Sequence, residues 1–173
     1  MTTSFKQVLI LAALIAGVTP AQAGSPDGLS IAAVGNASGA PYTGAVKQFF
    51  ADHQDDKVAD CNQYMLNVAN MYFTHLPPQL TGDLAVAAVN DKAKRKRLGK
   101  LLTGFRDKRL SHGFDGALAY EVKDEKLRLY GISGDADEKV LMSSLTLDEA
   151  KDQKKFNVAV CKAVAGLGVL AAP

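Results

Sequence analysis

Tryptophan is absent from this sequence, and aromatic residues make up only 7 % of it. That leaves little material for a stacking platform that binds sugars or bases. The local signatures of common chemistries are missing too. There is no His-Glu-x-x-His metal pair, no Gly-x-Ser-x-Gly elbow, no Ser-x-x-Lys and no phosphate-binding glycine loop. Gly131-Ile132-Ser133-Gly134 falls one residue short of the elbow and reads as a strand-ending turn. No internal repeat is visible. Charge of either sign is not in excess, with a formal balance of +2 over 173 residues. The whole chain therefore does not recommend a nucleic-acid partner, and only local patches bear on one.

What is present begins with the first 23 residues. Lys6 precedes an apolar run from Val8 to Val18, and Ala21-Gln22-Ala23 follows. These are the three parts of a secretory signal peptide, with cleavage expected before Gly24. A run of about eleven residues is too short for a bilayer core, which takes roughly twenty, so no membrane span is expected. The residue directly after the cleavage point is Gly24 and not a cysteine, which argues against a lipid anchor. The expected location is the periplasm or the exterior. Cleavage removes Lys6 and no acid, so the formal charge drops by one.

Only Cys61 and Cys161 are present. In an oxidising compartment an isolated pair reads as a disulfide. It would close a loop of about 100 residues, for which chain entropy gives roughly 4–5 kcal/mol as an upper figure. The chemical alternative makes Cys61 a nucleophile with His75 or His112 as its base, but both cysteines fall on apolar faces without an activating neighbourhood.

About 150 residues after cleavage fit one domain with a hydrophobic core. Residues 24–44, rich in Gly, Ala, Ser and Pro, read as a flexible leader in which Leu29, Ile31 and Val34 fit one edge strand. Residues 45–173 read as a single α+β domain. Val46, Phe49 and Phe50 give Ala45 to His53 the face of a short helix. At 100° steps, Val58, Cys61, Met65, Leu66, Val68, Ala69, Tyr72, Phe73 and Leu76 share one arc. The spacing predicts a central helix over Asp56 to Leu76, stopped by Pro77 and Pro78, with Tyr64 and Met71 on its far side. The acids Asp52, Asp55 and Asp56 beside His53 suit that helix start better than a metal site.

Leu84 to Val89 is apolar and ambiguous between strand and helix. Beyond it Leu98, Leu101, Leu102 and Phe105 share a narrow face while cations fill the rest, predicting a basic amphipathic helix. Its candidate partner-binding residues are Lys92, Lys94, Arg95, Lys96, Arg97 and Lys100. Three readings compete: a solvated face, a docking surface for an acidic protein, and contact with anionic lipid, envelope polymer or nucleic acid. No aromatic residue interleaves with the charges, which counts against single-stranded nucleic acid.

Alternation at Leu118, Tyr120 and Val122 and at Leu127 and Leu129, around Lys123-Asp124-Glu125-Lys126, predicts a β-hairpin. Val140 to Leu145 adds a third strand. The expected architecture is helices packed on a small three-stranded antiparallel β-meander. Asp135, Asp137 and Glu138 do not make an EF-hand, because Val140 and Thr146 stand where its glycine and glutamate belong. Thr146-Leu147-Asp148-Glu149 has the spacing of a capping box and predicts the start of the last helix.

No cofactor and no metal is expected. The function class these features favour is an exported protein that binds an unidentified protein in the cell envelope, as an inhibitor or immunity protein against an envelope-targeting enzyme does. The alternatives are binding of anionic envelope lipid or polymer through the basic helix, and a hydrolase without a recognisable motif.

Overall fold

A computed structural model describes residues 29–51, 68–106, 113–165 and 167. The class is α+β, but the sheet is larger than a three-stranded antiparallel meander. Five strands, β1 (Leu29–Gly35), β2 (Val68–Tyr72), β3 (Gly116–Lys123), β4 (Lys126–Ser133) and β5 (Leu141–Thr146), lie in the order β2-β1-β3-β4-β5. β1 runs parallel to both β2 and β3, and β3, β4 and β5 are successively antiparallel. The expected meander is thus one flank of a mixed sheet whose other flank was hidden in two stretches read otherwise.

The first is the supposed leader, whose residues 29–35 form β1, an interior strand. Ile31 and Ala32 are fully buried, and Ala33 and Val34 nearly so, because layers cover both faces of the sheet. A strand buried on both faces does not alternate, and small residues are what admit it between two layers. The second is the expected central helix. Residues 68–72 of it pair with β1 as an edge strand, while residues 52–67 lie outside the described residues. A short apolar stretch fits either period, and pairing with a neighbour decides between them.

Helices α1 (Thr43–Ala51) and α4 (Gln153–Val164) cover one face of the sheet. Val46, Phe49 and Phe50 from α1, and Phe156, Val160, Cys161 and Val164 from α4, meet Ile31, Leu118, Tyr120 and Leu129 there. The other face carries α2 (Gly82–Ala88) and α3 (Lys92–Gly104), whose Ala85, Ala88, Leu98 and Leu102 meet Val34, Ala117, Ala119 and Ile132. Tyr72, Phe114 and Phe105 close this second core, with Phe105 and Phe114 stacked at 4.7 Å.

Polar contacts fix the register. Ser30 N donates to Asp115 Oδ2 at 2.7 Å and Asp115 N donates to Ser30 O at 2.9 Å, which locks the starts of β1 and β3 together. At the other end Asn36 N donates to Tyr120 O, and Ser38 Oγ accepts from Val122 N. The expected capping box forms, with Thr146 N donating to Glu149 Oε2 and Glu149 N to Thr146 Oγ1. It closes only a 3-10 turn, Glu149–Lys151. The helix itself starts later, at Gln153, because Asp152 accepts from Lys154 N and Lys155 N.

The backbone of α4 reaches the sheet at Gly131, where a Cβ would collide with the carbonyl oxygen of Ala163. Replacement Gly131→Ala must push helix and strand apart, an overpacking cost of roughly 2–3 kcal/mol. A lowered urea midpoint of the variant checks it, and an unchanged midpoint would show that α4 does not sit this close.

Candidate partner-binding surface

The sequence of α3, KAKRKRLGKLLTG, holds six cations and no acid. Two isolated helical rules run against it. Cations in the first turn oppose the helix dipole. Like charges at Lys92 and Lys96, and again at Lys96 and Lys100, repel across one turn, each pair by about 0.2–0.5 kcal/mol. The helix forms because Asp91 caps it, accepting from Ala93 N at 2.9 Å and Lys94 N at 3.1 Å, and because Leu98, Gly99 and Leu102 are buried against the sheet layer. Gly99, costly inside a helix, fits where a Cβ would strike the Gly134 carbonyl oxygen.

The six cations do not share one environment. Lys92 Nζ lies 2.7 Å from Asp137 Oδ1, and Lys94 Nζ lies 3.6 Å from Asp91 Oδ2. Arg95 is half-buried, and its Nε is buried without a hydrogen-bond partner. Lys96, Arg97 and Lys100 are exposed. Lys96 and Lys100 stand one turn apart with Arg97 beside them, so these three form a continuous outward row. Among the described residues, none of the three has a carboxylate within ion-pair distance.

The acidic turn at Asp135, Asp137 and Glu138, weighed in the sequence as a calcium loop, lies instead beside the first turn of α3. Among the described residues no group of three or more His, Cys, Asp or Glu is placed to hold a metal ion. Hydrogen bonding and charge from Lys92, with further charge from Lys96 and Arg95, hold the Asp137 carboxyl below its ordinary value. The turn thus pairs with the start of α3 and acts on Lys96 of the outward row only through charge at longer range.

A second polar group occupies the same side of the sheet. Tyr130 Oη donates to Glu121 Oε1 at 2.8 Å, Asn36 Nδ2 reaches Glu121 Oε2 at 3.5 Å, and Arg128 pairs with Asp124 in the β3–β4 turn. Burial first, then the Glu121 carboxylate, push the Tyr130 phenol up to about 12. These groups satisfy one another and tie the loop after β1 to β3 and β4. An open cleft of about 320 Å³ lies at the far end of α3, between Thr103, Arg106, Phe114 and Asp135. Arg106 Nη1 donates to the carbonyls of Thr103 and Phe105, both at 2.8 Å, and so serves as a helix C-cap.

Of the other residues singled out in the sequence, Cys161 is fully buried on the inner side of α4. Cys61, His53, Tyr64 and His112 lie outside the described residues. His75 is exposed just after β2, its ring Nδ1 3.2 Å from Thr74 Oγ1. Met71 falls on β2. The Glu121–Tyr130 group carried no sequence signal except the alternation that puts residues 121 and 130 on one face. Among the described residues no helix is long and apolar enough to cross a membrane. Comparison of the chain with protein-family models, with curated proteins and with solved structures finds no match.

Two titrations follow from these contacts. The Asp137 pair contributes to stability above the ordinary carboxylate pKa of about 4 and is lost as pH falls through its lowered folded value. Lys92→Ala should return the Asp137 carboxyl toward its ordinary value in a carbon-13 NMR titration, and no movement would show that Lys92 is not its partner. Tyr130 behaves in the opposite sense. Its folded pKa is raised, so stability falls as pH climbs from about 10 towards the folded value of about 12. In Glu121→Gln the phenol should ionise at lower pH than in the wild type but still above about 10, since burial remains. Absorbance at alkaline pH reads this directly, and an unshifted curve contradicts it.

Proposed function

We propose that this chain is an exported protein that acts by binding a protein partner in the cell envelope, as an inhibitor or immunity protein against an envelope-targeting enzyme does. The row Lys96, Arg97 and Lys100 meets an acidic face of that partner. The observation that carries the reading is the conflict inside α3: cations repel one another along a helix with no acid of its own, and among the described residues none of the outward three has a carboxylate within ion-pair distance. A sequence that breaks a local stability rule without compensation marks a place where something other than stability is served. Charge of this kind mainly speeds and orients association. Residues 1–23 supply the export signal, and a Cys61–Cys161 bond steadies the protein in an oxidising compartment.

The reading separates function from stability. Replacing Lys96 by Glu sets an acid between Lys92 and Lys100 at one-turn spacing. It should raise stability by a few tenths of a kcal/mol. Together with Lys100→Glu it should weaken capture of the partner from an envelope extract by about tenfold at low salt. A melting curve and a pull-down with mass spectrometry read the two effects. Unchanged capture removes α3 from the binding surface. Retention that is diffuse, involves only anionic lipid or polymer, and vanishes at high salt replaces the protein partner with an anionic surface.

A further inference from the structure

Strand β5 is an outer edge of the sheet, with no strand on its free side among the described residues. Natural edges are commonly blunted by proline, by charge or by a bulge, because their free N–H and C=O groups template another strand. β5 has none of these. Its sequence, LMSSLT, carries neither proline nor charge, and it pairs with β4 through six consecutive residues without a register shift. Met142 on this strand is 61 % exposed, the large hydrophobic residue most open to solvent among the described residues.

We infer that β5 is the contact between two copies of this chain, joined antiparallel across a two-fold axis at Ser144. An antiparallel partner continues the pattern of β3, β4 and β5. A two-fold axis perpendicular to the sheet keeps each face continuous, which requires residues of the same face to meet. With Ser144 facing its own copy, Met142 faces Thr146, and its exposed side chain is covered. The flanks carry both signs in opposite order. Exposed Glu138 and Lys139 precede the strand, and exposed Asp148, half-buried Glu149 and exposed Lys151 follow it, Asp148 paired with Lys151 and Glu149 with Lys155 inside the copy. The antiparallel arrangement carries Lys139 of each copy towards Asp148 and Glu149 of the other, and Glu138 towards its Lys151. A second copy supplies an uncharged strand between flanks whose charges alternate in the opposite order, without any further partner. The contact lies on a different element from the cations of α3 and stands independently of their role.

Sedimentation equilibrium of the purified protein between about 10 and about 200 µM, a range that spans weak edge-to-edge association, tests the contact. The wild type should be dimeric at the upper end. Ser144 is exposed and lies across from Arg128 in β4, so Ser144→Glu is compatible with the fold of one copy. In the dimer it sets two glutamates face to face, where like charges repel. The variant should be monomeric throughout with an unchanged far-ultraviolet circular dichroism spectrum, its dissociation constant raised at least about tenfold. A monomeric wild type, or a folded variant that dimerises as the wild type does, overturns the inference. Should the variant unfold, amide exchange decides on the wild type alone. Exchange over residues 141–146 must slow as concentration rises, and rates independent of concentration overturn the dimer.

Discussion

The close approach of backbone to backbone at Gly131 sets the spacing on which the rest of this structure depends. No side chain stands between β4 and the carbonyl of Ala163 on α4, so one outer layer rests directly on the sheet. The same device recurs on the opposite face. Gly82 at the start of α2 meets the Gly35 carbonyl, and Gly99 of α3 meets the Gly134 carbonyl. Because interiors are close-packed, separations this short leave little freedom for the layers to tilt or slide. The outward orientation of the cations on α3 is a consequence. Once Leu98, Gly99 and Leu102 are seated, Lys96, Arg97 and Lys100 face solvent.

Much of the fold was legible where one face of an element is wet. The tip of the hairpin around Asp124 and Glu125, the third strand and the basic helix show the period of a half-buried element, and each appears within a few residues of its expected place, although the body of the hairpin is covered on both faces. The reading failed where both faces are covered or where pairing is remote. β1 consists of small residues between two layers and looks like a linker by composition. β2 fits the helical period as well as the extended one, and its place is decided by β1, nearly forty residues earlier. The start of α4 shows a third kind of failure. Two cap signals follow one another, and the first serves a single turn while Asp152 serves the helix.

The surface shows the same division. The six cations were legible as a group, but their separation into roles was not. Lys92 is engaged by Asp137, which lies on a turn forty-five residues later, and Arg95 is half-buried. Only the packing of the 135–138 turn against α3 makes that distinction, and it comes from tertiary contact through Gly99 and Gly134. What remains is a short outward row on a helix that would be more stable with mixed charge. In physical terms, the burial of its inner face and the Asp91 cap outweigh that repulsion, and the proposal of a binding role rests on the repulsion being retained.

The most direct measurement is lysine footprinting by acetylation and mass spectrometry, with the protein free and in its envelope extract. The account predicts that Lys96 and Lys100 lose reactivity in the extract and regain it at high salt, while Lys123 and Lys162 on other elements stay unchanged. Equal reactivity of all four lysines in both conditions would contradict a binding surface on α3.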